Sequence, residues 1–177
     1  LGNPSVPVPQ QFTDTMIHML QERNPMELHG YSQSLGIPAV RDKVAASLNK
    51  RFGMHYTGKH IFMTTGAAGA IAHAVRCVAG PGDEILTFAP FFPEYTPYIN
   101  LTGASLKVVP ANTQNFQINF EAFEEMLTDK VAAVLINTPN NPSGMVYSTD
   151  TIKELARIMT EKSEKYGHDI FLISDEP

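Results

Sequence analysis

The sequence predicts an α/β fold: a mostly parallel sheet covered by helices on both faces. Two observations carry this expectation. From Lys59 onward, five short apolar runs alternate with stretches of helical periodicity, the order produced by parallel strands joined through crossover helices. The runs are mostly apolar throughout, as strands sandwiched between helices must be.

Ahead of that pattern the chain reads as helical. After a Pro-rich opening at Pro4, Pro7 and Pro9, residues Gln11 to Glu22 carry Phe12, Met16, Met19 and Leu20 at roughly helical spacing. Pro38 to Phe52 predicts a second helix. Pro38 suits its first turn, Val40, Val44, Leu48 and Phe52 recur on one face, and Gly53 suits the cap that ends it. Ile61 to Thr65 then reads as the first strand, followed by Gly66 and an Ala-rich helix over Ala67 to Ala79. Gly80-Pro81-Gly82-Asp83 turns the chain into a strand over Glu84 to Phe88, and a helix over Pro93 to Leu101 and a strand over Ser105 to Val109 follow. Asn119 can cap a helix reaching Leu127, with Glu121, Glu124 and Glu125 on its dipole-favoured early turns. The last elements are a strand over Val131 to Ile136, a helix over Thr149 to Tyr166 and a strand over Ile170 to Ser174.

Composition narrows the function. With 177 residues, 43% hydrophobic and 18% charged, the chain can bury one sizeable core. A formal net charge of −5 argues against a nucleic-acid surface, which needs clustered Lys and Arg. A small anionic ligand stays compatible, because backbone amides hold one without a basic patch. The single Cys77 allows neither an internal disulfide nor a thiolate metal cluster and fits a reducing cytoplasm. The six histidines lack metal-ligand spacing, and Cys77 and the eight methionines read as core filler. No apolar run approaches the ~20 residues of a membrane span. Both ends read as cut, since Leu1-Gly2-Asn3-Pro4 opens without Met and Asp175-Glu176-Pro177 follows an apolar run directly, so a piece of a longer protein is expected.

In parallel sheets ligands bind beyond the carboxyl ends of the strands. Four such ends bear chemistry. At Thr64-Thr65-Gly66-Ala67-Ala68-Gly69-Ala70 a turn into a helix start leaves N–H groups pointing outward, a seat for phosphate, although close packing of small residues explains the same pattern. Phe91, Phe92 and Tyr95 follow the next strand and can stack on a flat ring or fill the core. Ile136-Asn137-Thr138-Pro139-Asn140-Asn141-Pro142-Ser143-Gly144 is a turn in which Asn141 offers an amide able to donate to a phenolic oxygen. Asp175 stands behind Ile170-Phe171-Leu172-Ile173, where a carboxylate is costly to bury without a cationic partner such as a protonated pyridine nitrogen; solvation or helix capping are its plainer roles.

A phosphate seat, a ring stacker, a phenolate donor and a pyridinium counter-ion together suit one ligand, pyridoxal 5′-phosphate. At these residues the sequence resembles the class I/II aminotransferases of fold type I, along essentially its whole length. The matching stretches are Leu1-Gly2-Asn3-Pro4, Gly30-Tyr31-Ser32 with Gly36 and Arg41, Thr65 to Ala70, Pro81-Gly82-Asp83, Pro90 to Tyr95, Asn141-Pro142-Ser143-Gly144 and Asp175-Glu176-Pro177. The last two are the specific ones. The resemblance implies an incomplete large, pyridoxal-phosphate-binding domain over residues 11–177, preceded by a strap over residues 1–10 near the substrate site. It implies part of an aminotransferase acting on an amino acid and a 2-keto acid.

Residue by residue, the resemblance implies that the amides of Ala67 and Ala68, after Gly66, bind the phosphate, Phe92 stacks on the ring, Asn141 bonds the ring oxygen and Asp175 pairs with the ring nitrogen. Gly2 would lie near the substrate carboxylate. Tyr31 would reach the phosphate of a neighbouring subunit, implying a homodimer, and Asn141-Pro142 is a candidate cis bond.

The family's Schiff-base lysine, the tyrosine after it and the arginine that clamps substrate all fall beyond Pro177. Lys43, Lys50, Lys153, Lys162 and Lys165 read as solvated helix-face charges. No catalytic residue is therefore expected in this chain, and the chain alone is expected to be inactive. The same residues also fit a pyridoxal-phosphate-dependent C–S β-lyase or an aminotransferase-like ligand-sensing domain of a transcription regulator. A bare nucleotide-binding Rossmann domain is weakened by the missing first glycine of its fingerprint and by the lack of an acidic residue at the second strand's end.

Overall fold

A computed structural model describes residues 5–176. The chain divides into two compact units, with the boundary between Met63 and Thr64.

The first unit holds α1 (Gln10–Glu22), α2 (Pro25–Leu28), α3 (Pro38–Phe52) and a single 3-10 turn at Gly58–His60. Pro38 takes the first turn of α3, and Gly53 closes it in the left-handed conformation at φ 66°, donating its N–H to Asn49 O. The apolar face expected on α3 is only partly covered: Val44 and Leu48 are half-buried, Val40 and Phe52 are exposed, and Ala45 alone is buried. Side-chain clasps hold the unit's loops. Asn49 and Tyr56 exchange two hydrogen bonds of 2.7 and 2.8 Å, and Arg41 Nε donates to Ile61 O at 2.8 Å.

One strand of the expected five is absent among the described residues. Ile61 to Thr65 is followed by α4 (Gly66–Val78), but it pairs with no strand. Its backbone donors go elsewhere: Ile61 N–H to Gly58 O and Met63 N–H to Leu35 O. Apolar content predicted the extended shape, but a strand also needs a neighbour to bond.

The second unit continues as β1 (Glu84–Phe88), α5 (Tyr95–Asn100), β2 (Ser105–Val109), α6 (Phe120–Met126), β3 (Val131–Asn137), α7 (Thr149–Tyr166) and β4 (Phe171–Asp175). The four strands form one parallel sheet in the order β2-β1-β3-β4. Asn119 caps α6 by accepting from Ala122 N–H, and Ser148 caps α7 by accepting from Thr151 N–H.

Each face of the sheet has its own core. Ile85, Ala133 and Leu135 pack under α4 and α5 with Ile71, Val75, Tyr95 and Ile99. Leu86, Phe88, Val134 and Ile136 pack under α6 and α7 with Phe123, Leu155 and Ile158. Side chains alternate between faces along a strand, yet Val131 shares the face of Val134. The pairing slips there: Glu84 lies opposite Val131 and Ile85 opposite Ala133, leaving Ala132 as an extra residue in β3. Cys77, expected as core filler, is exposed, because on α4 the inward positions belong to Ile71 and Val75. Lys162 departs from a solvated reading too, being half-buried with Nζ donating to Glu124 O at 3.1 Å.

Candidate functional site

The second unit's chemistry gathers at the carboxyl ends of β1, β3 and β4. The last rung of the β3–β4 pair sets Asn137 opposite Asp175. Three hydrogen bonds knit the tips together. Tyr95 Oη donates to Asp175 Oδ2 at 2.6 Å, joining the start of α5 to the end of β4. Asn137 Nδ2 donates to the backbone O of Asp175 at 3.1 Å, joining β3 to β4. Asn140 Nδ2 donates to Pro90 O at 3.1 Å, joining the loop after β3 to the loop after β1.

The three asparagines at the end of β3 and in the turn after it, Asn137, Asn140 and Asn141, therefore divide the labour. Asn137, 6% exposed, turns its Oδ1 to the N–H of Asn141. Asn140 accepts from both the N–H and the hydroxyl of Ser143 and takes part in backbone bonds to Met145 and Gly144, which closes the turn. Asn141 is exposed, and its side-chain amide makes no hydrogen bond among the described residues. The peptide bond Asn141-Pro142 is cis, as are Ala89-Pro90 and Thr138-Pro139.

Asp175 was expected to need a cationic partner, and its partner within the chain is a neutral phenol. It is half-buried rather than deeply enclosed, and Tyr95 engages only Oδ2. Tyr95 itself is fully buried at 0% exposure. Burial first, and the neighbouring Asp175 second, hold its ionisation well above the ordinary tyrosine range, so it stays a hydrogen-bond donor. The aromatic cluster thus splits. Tyr95 is core, while Phe91 and Phe92 are half-buried, with the Phe92 ring 5.7 Å from that of Tyr95 in an edge-on arrangement.

Gly66, Ala67 and Ala68 open α4. Gly66 takes φ 71°, a conformation natural to glycine. The N-cap Thr65 makes no side-chain cap bond, and the N–H groups of Ala67 and Ala68 have no acceptor among the described residues. α4 ends only five residues before β1 begins and packs against β3 and β4. A helix joined to its strand by so short a turn must run back along the sheet, which puts its amino end on the side of the strands' carboxyl ends. The positive end of the helix dipole lies there.

Tyr31 belongs to the first unit and is fully exposed. Gly2 lies outside the described residues. Tyr95, Asn137 and Asn140 were not singled out from sequence as polar contributors to this site. For Tyr95 a signal existed: a tyrosine in a buried aromatic run needs a hydroxyl partner, and few acceptors end a strand.

Comparison with known proteins agrees with the fold. A crystal structure of an amino transferase from Eubacterium rectale superposes with a TM-score of 0.97 at 42% identity, covering 100% of this chain and 45% of that one. An Escherichia coli protein with a methionine aminotransferase function superposes at TM-score 0.86 with 27% identity, over 98% of this chain and 44% of that one. In sequence, the aspartate aminotransferase of Thermotoga maritima is 31% identical over 176 residues, 99% of this chain and 44% of that protein. A probable N-acetyl-LL-diaminopimelate aminotransferase of Bacillus subtilis is 31% identical over 82% of the chain and 36% of that protein. The chain thus spans less than half the length of these relatives. Residues 2–176 match the family described as aminotransferase class I and II. With a parallel sheet covered on both faces and a family match along nearly all of its length, this chain belongs to the class I and II aminotransferases.

Proposed function

We propose that the chain forms the cofactor-binding part of a pyridoxal 5′-phosphate-dependent aminotransferase, which moves an amino group between an amino acid and a 2-keto acid and works in the cytoplasm as a homodimer. The observation that carries this reading is the set of three bonds tying the tips of β1, β3 and β4, with the Asn141 amide and Asp175 Oδ1 left without partners among the described residues. The donor set fits the group. Unclaimed amides at the start of α4 suit a phosphate, a half-buried Phe92 suits a ring face, and a free amide and a half-free carboxylate suit the ring's oxygen and nitrogen.

When bound, the cofactor supplies an electron-withdrawing ring that acidifies the α-proton of an attached amino acid. This chain's residues bind and orient. Ala67 and Ala68, after Gly66, hold the phosphate. Phe92 covers one ring face, Asn141 donates to the ring oxygen, and the Asp175 carboxylate keeps the ring nitrogen protonated. Residues 1–10, with Gly2, serve as a strap at the substrate, residues 11–177 as the cofactor domain, and Tyr31 reaches the phosphate held by a second copy. No lysine of this chain carries the proton transfer, so the chain alone is inactive and a lysine elsewhere in the protein completes the site.

The test uses the full-length protein with pyridoxal 5′-phosphate, following bound cofactor by its absorbance and products by keto acid analysis. Amino-group exchange between an amino acid and a keto acid is the expected result, and Asp175→Ala should cut turnover by about a hundredfold with little change in melting temperature. Unchanged turnover would strip Asp175 of its role. Release of pyruvate and a thiol from a sulfur amino acid, without keto acid exchange, would replace transamination by β-elimination.

A further inference from the structure

We infer that Asn137 is a positioning residue, whose side-chain amide sets the spacing between Asn141 and Asp175 and through them the seat for the polar edge of the cofactor ring; this rests on the reading of the site given above. Neither of those two residues holds its own place. Asn141 is exposed, and the bond from its N–H to Asn137 Oδ1 is the one that ties its backbone to the sheet. Asp175 ends the edge strand β4, which pairs on one side with β3. Its backbone O is gripped from that side twice, by Thr138 N–H at 3.2 Å and by Asn137 Nδ2 at 3.1 Å.

The chemistry of the bracket selects its side chain. One partner is a backbone N–H, which can only donate, and the other a backbone carbonyl, which can only accept, so the bridging group must present an acceptor and a donor in one plane. A primary amide does this, and the fixed identity of its partners leaves a single orientation of the Asn137 amide. Asp lacks the donor, Ser lacks the reach, and Gln adds a methylene where the side chain is 6% exposed. Burial also removes the competition from water that would loosen such a bridge. Asn137 makes no contact with the ring in this assignment; it acts by fixing two groups that do.

A buried asparagine could instead serve stability alone, and a double-mutant comparison separates the two roles. In the full-length protein, affinity for pyridoxal 5′-phosphate is measured by equilibrium dialysis for wild type and Asn137→Ala, and again in a background carrying Asn141→Ala and Asp175→Ala. Asn137→Ala should weaken binding about tenfold in the wild-type background and less than about twofold where both ring-facing side chains are gone. Asn137→Asp, which keeps the shape and the acceptor for Asn141 N–H, carries the same comparison if the alanine variant does not fold. Equal losses in both backgrounds, or no loss in either, would overturn the inference. A wild type that binds no pyridoxal 5′-phosphate would overturn the reading of the site itself, a result distinct from both.

Discussion

Tyr95 serves packing with its ring and polarity with its hydroxyl, and the two can be separated. The ring lies in the core beneath α4 and α5 while Oη reaches Asp175. Tyr95→Phe keeps the ring, so it should destabilise the fold by only about 1–2 kcal/mol, measured by chemical denaturation. A loss above about 4 kcal/mol would mean that the hydroxyl holds more than one contact. The phenols also set an alkaline limit. Burial pushes Tyr147 up to about 12, and burial with Asp175 raises Tyr95 further. In the unfolded chain both ionise near about 10. The folded state therefore retains protons that the unfolded state loses, so their stabilising contribution is complete below about pH 10 and declines as pH climbs through Tyr147's folded value. Phenolate absorbance should show these two tyrosines ionising together with unfolding rather than before it. Asp175 and Asn141 were legible as site candidates because each stands at the end of an apolar run. Asn137 was not, and for Tyr95 only the need of a buried tyrosine for a hydroxyl partner could be read, since the bonds that tie Tyr95 and Asn137 to Asp175 span 80 and 38 residues.

Helix ends and strand tips do most of the work at the level of elements. α4 starts on a glycine at φ 71° with no heavy atom within 4 Å of where a Cβ would sit. Gly66→Ala should therefore cost about 1 kcal/mol through backbone strain alone, and by tilting the first-turn amides it should weaken pyridoxal 5′-phosphate binding more than it weakens folding. Equal affinity in the variant would argue against those amides as the phosphate seat. At α7 the Ser148 cap accepts from Thr151 N–H at 3.0 Å, so Ser148→Ala should lower the melting temperature by an amount matching about 1 kcal/mol. Elements with a strong local signature were read with ends correct to within one or two residues, as with the capped α6 and α7 and the proline-to-glycine α3. The segment Ile61 to Thr65 failed because a strand is a property of two segments. α2 passed unnoticed because four residues are too few to show a period.

Burial is distributed unevenly over the whole molecule. In the first unit only Ala45 and Gly58 are buried among the described residues, whereas the second carries both core clusters. Hydrogen exchange should accordingly find the slowest amides in β1 and β3 and much faster ones in α1 and α3; protection of α3 equal to that of β3 would contradict this ordering. Among the described residues no strand pairs with the outer edge of β4, where Phe171 and Leu172 are exposed. No helix among the described residues is long and apolar enough to cross a bilayer. The slip at Ala132 has a bearing on how this scaffold tolerates change. Because β3 meets β4 only from Ala133 onward, removing Ala132 would make the strand's beginning regular, set Val131 two residues before Val134 and so still on its face, and leave Asn137 facing the way it does now. Length variation at the strand's entrance is thereby insulated from the ligand end, and a lineage could shorten or lengthen one without rebuilding the other.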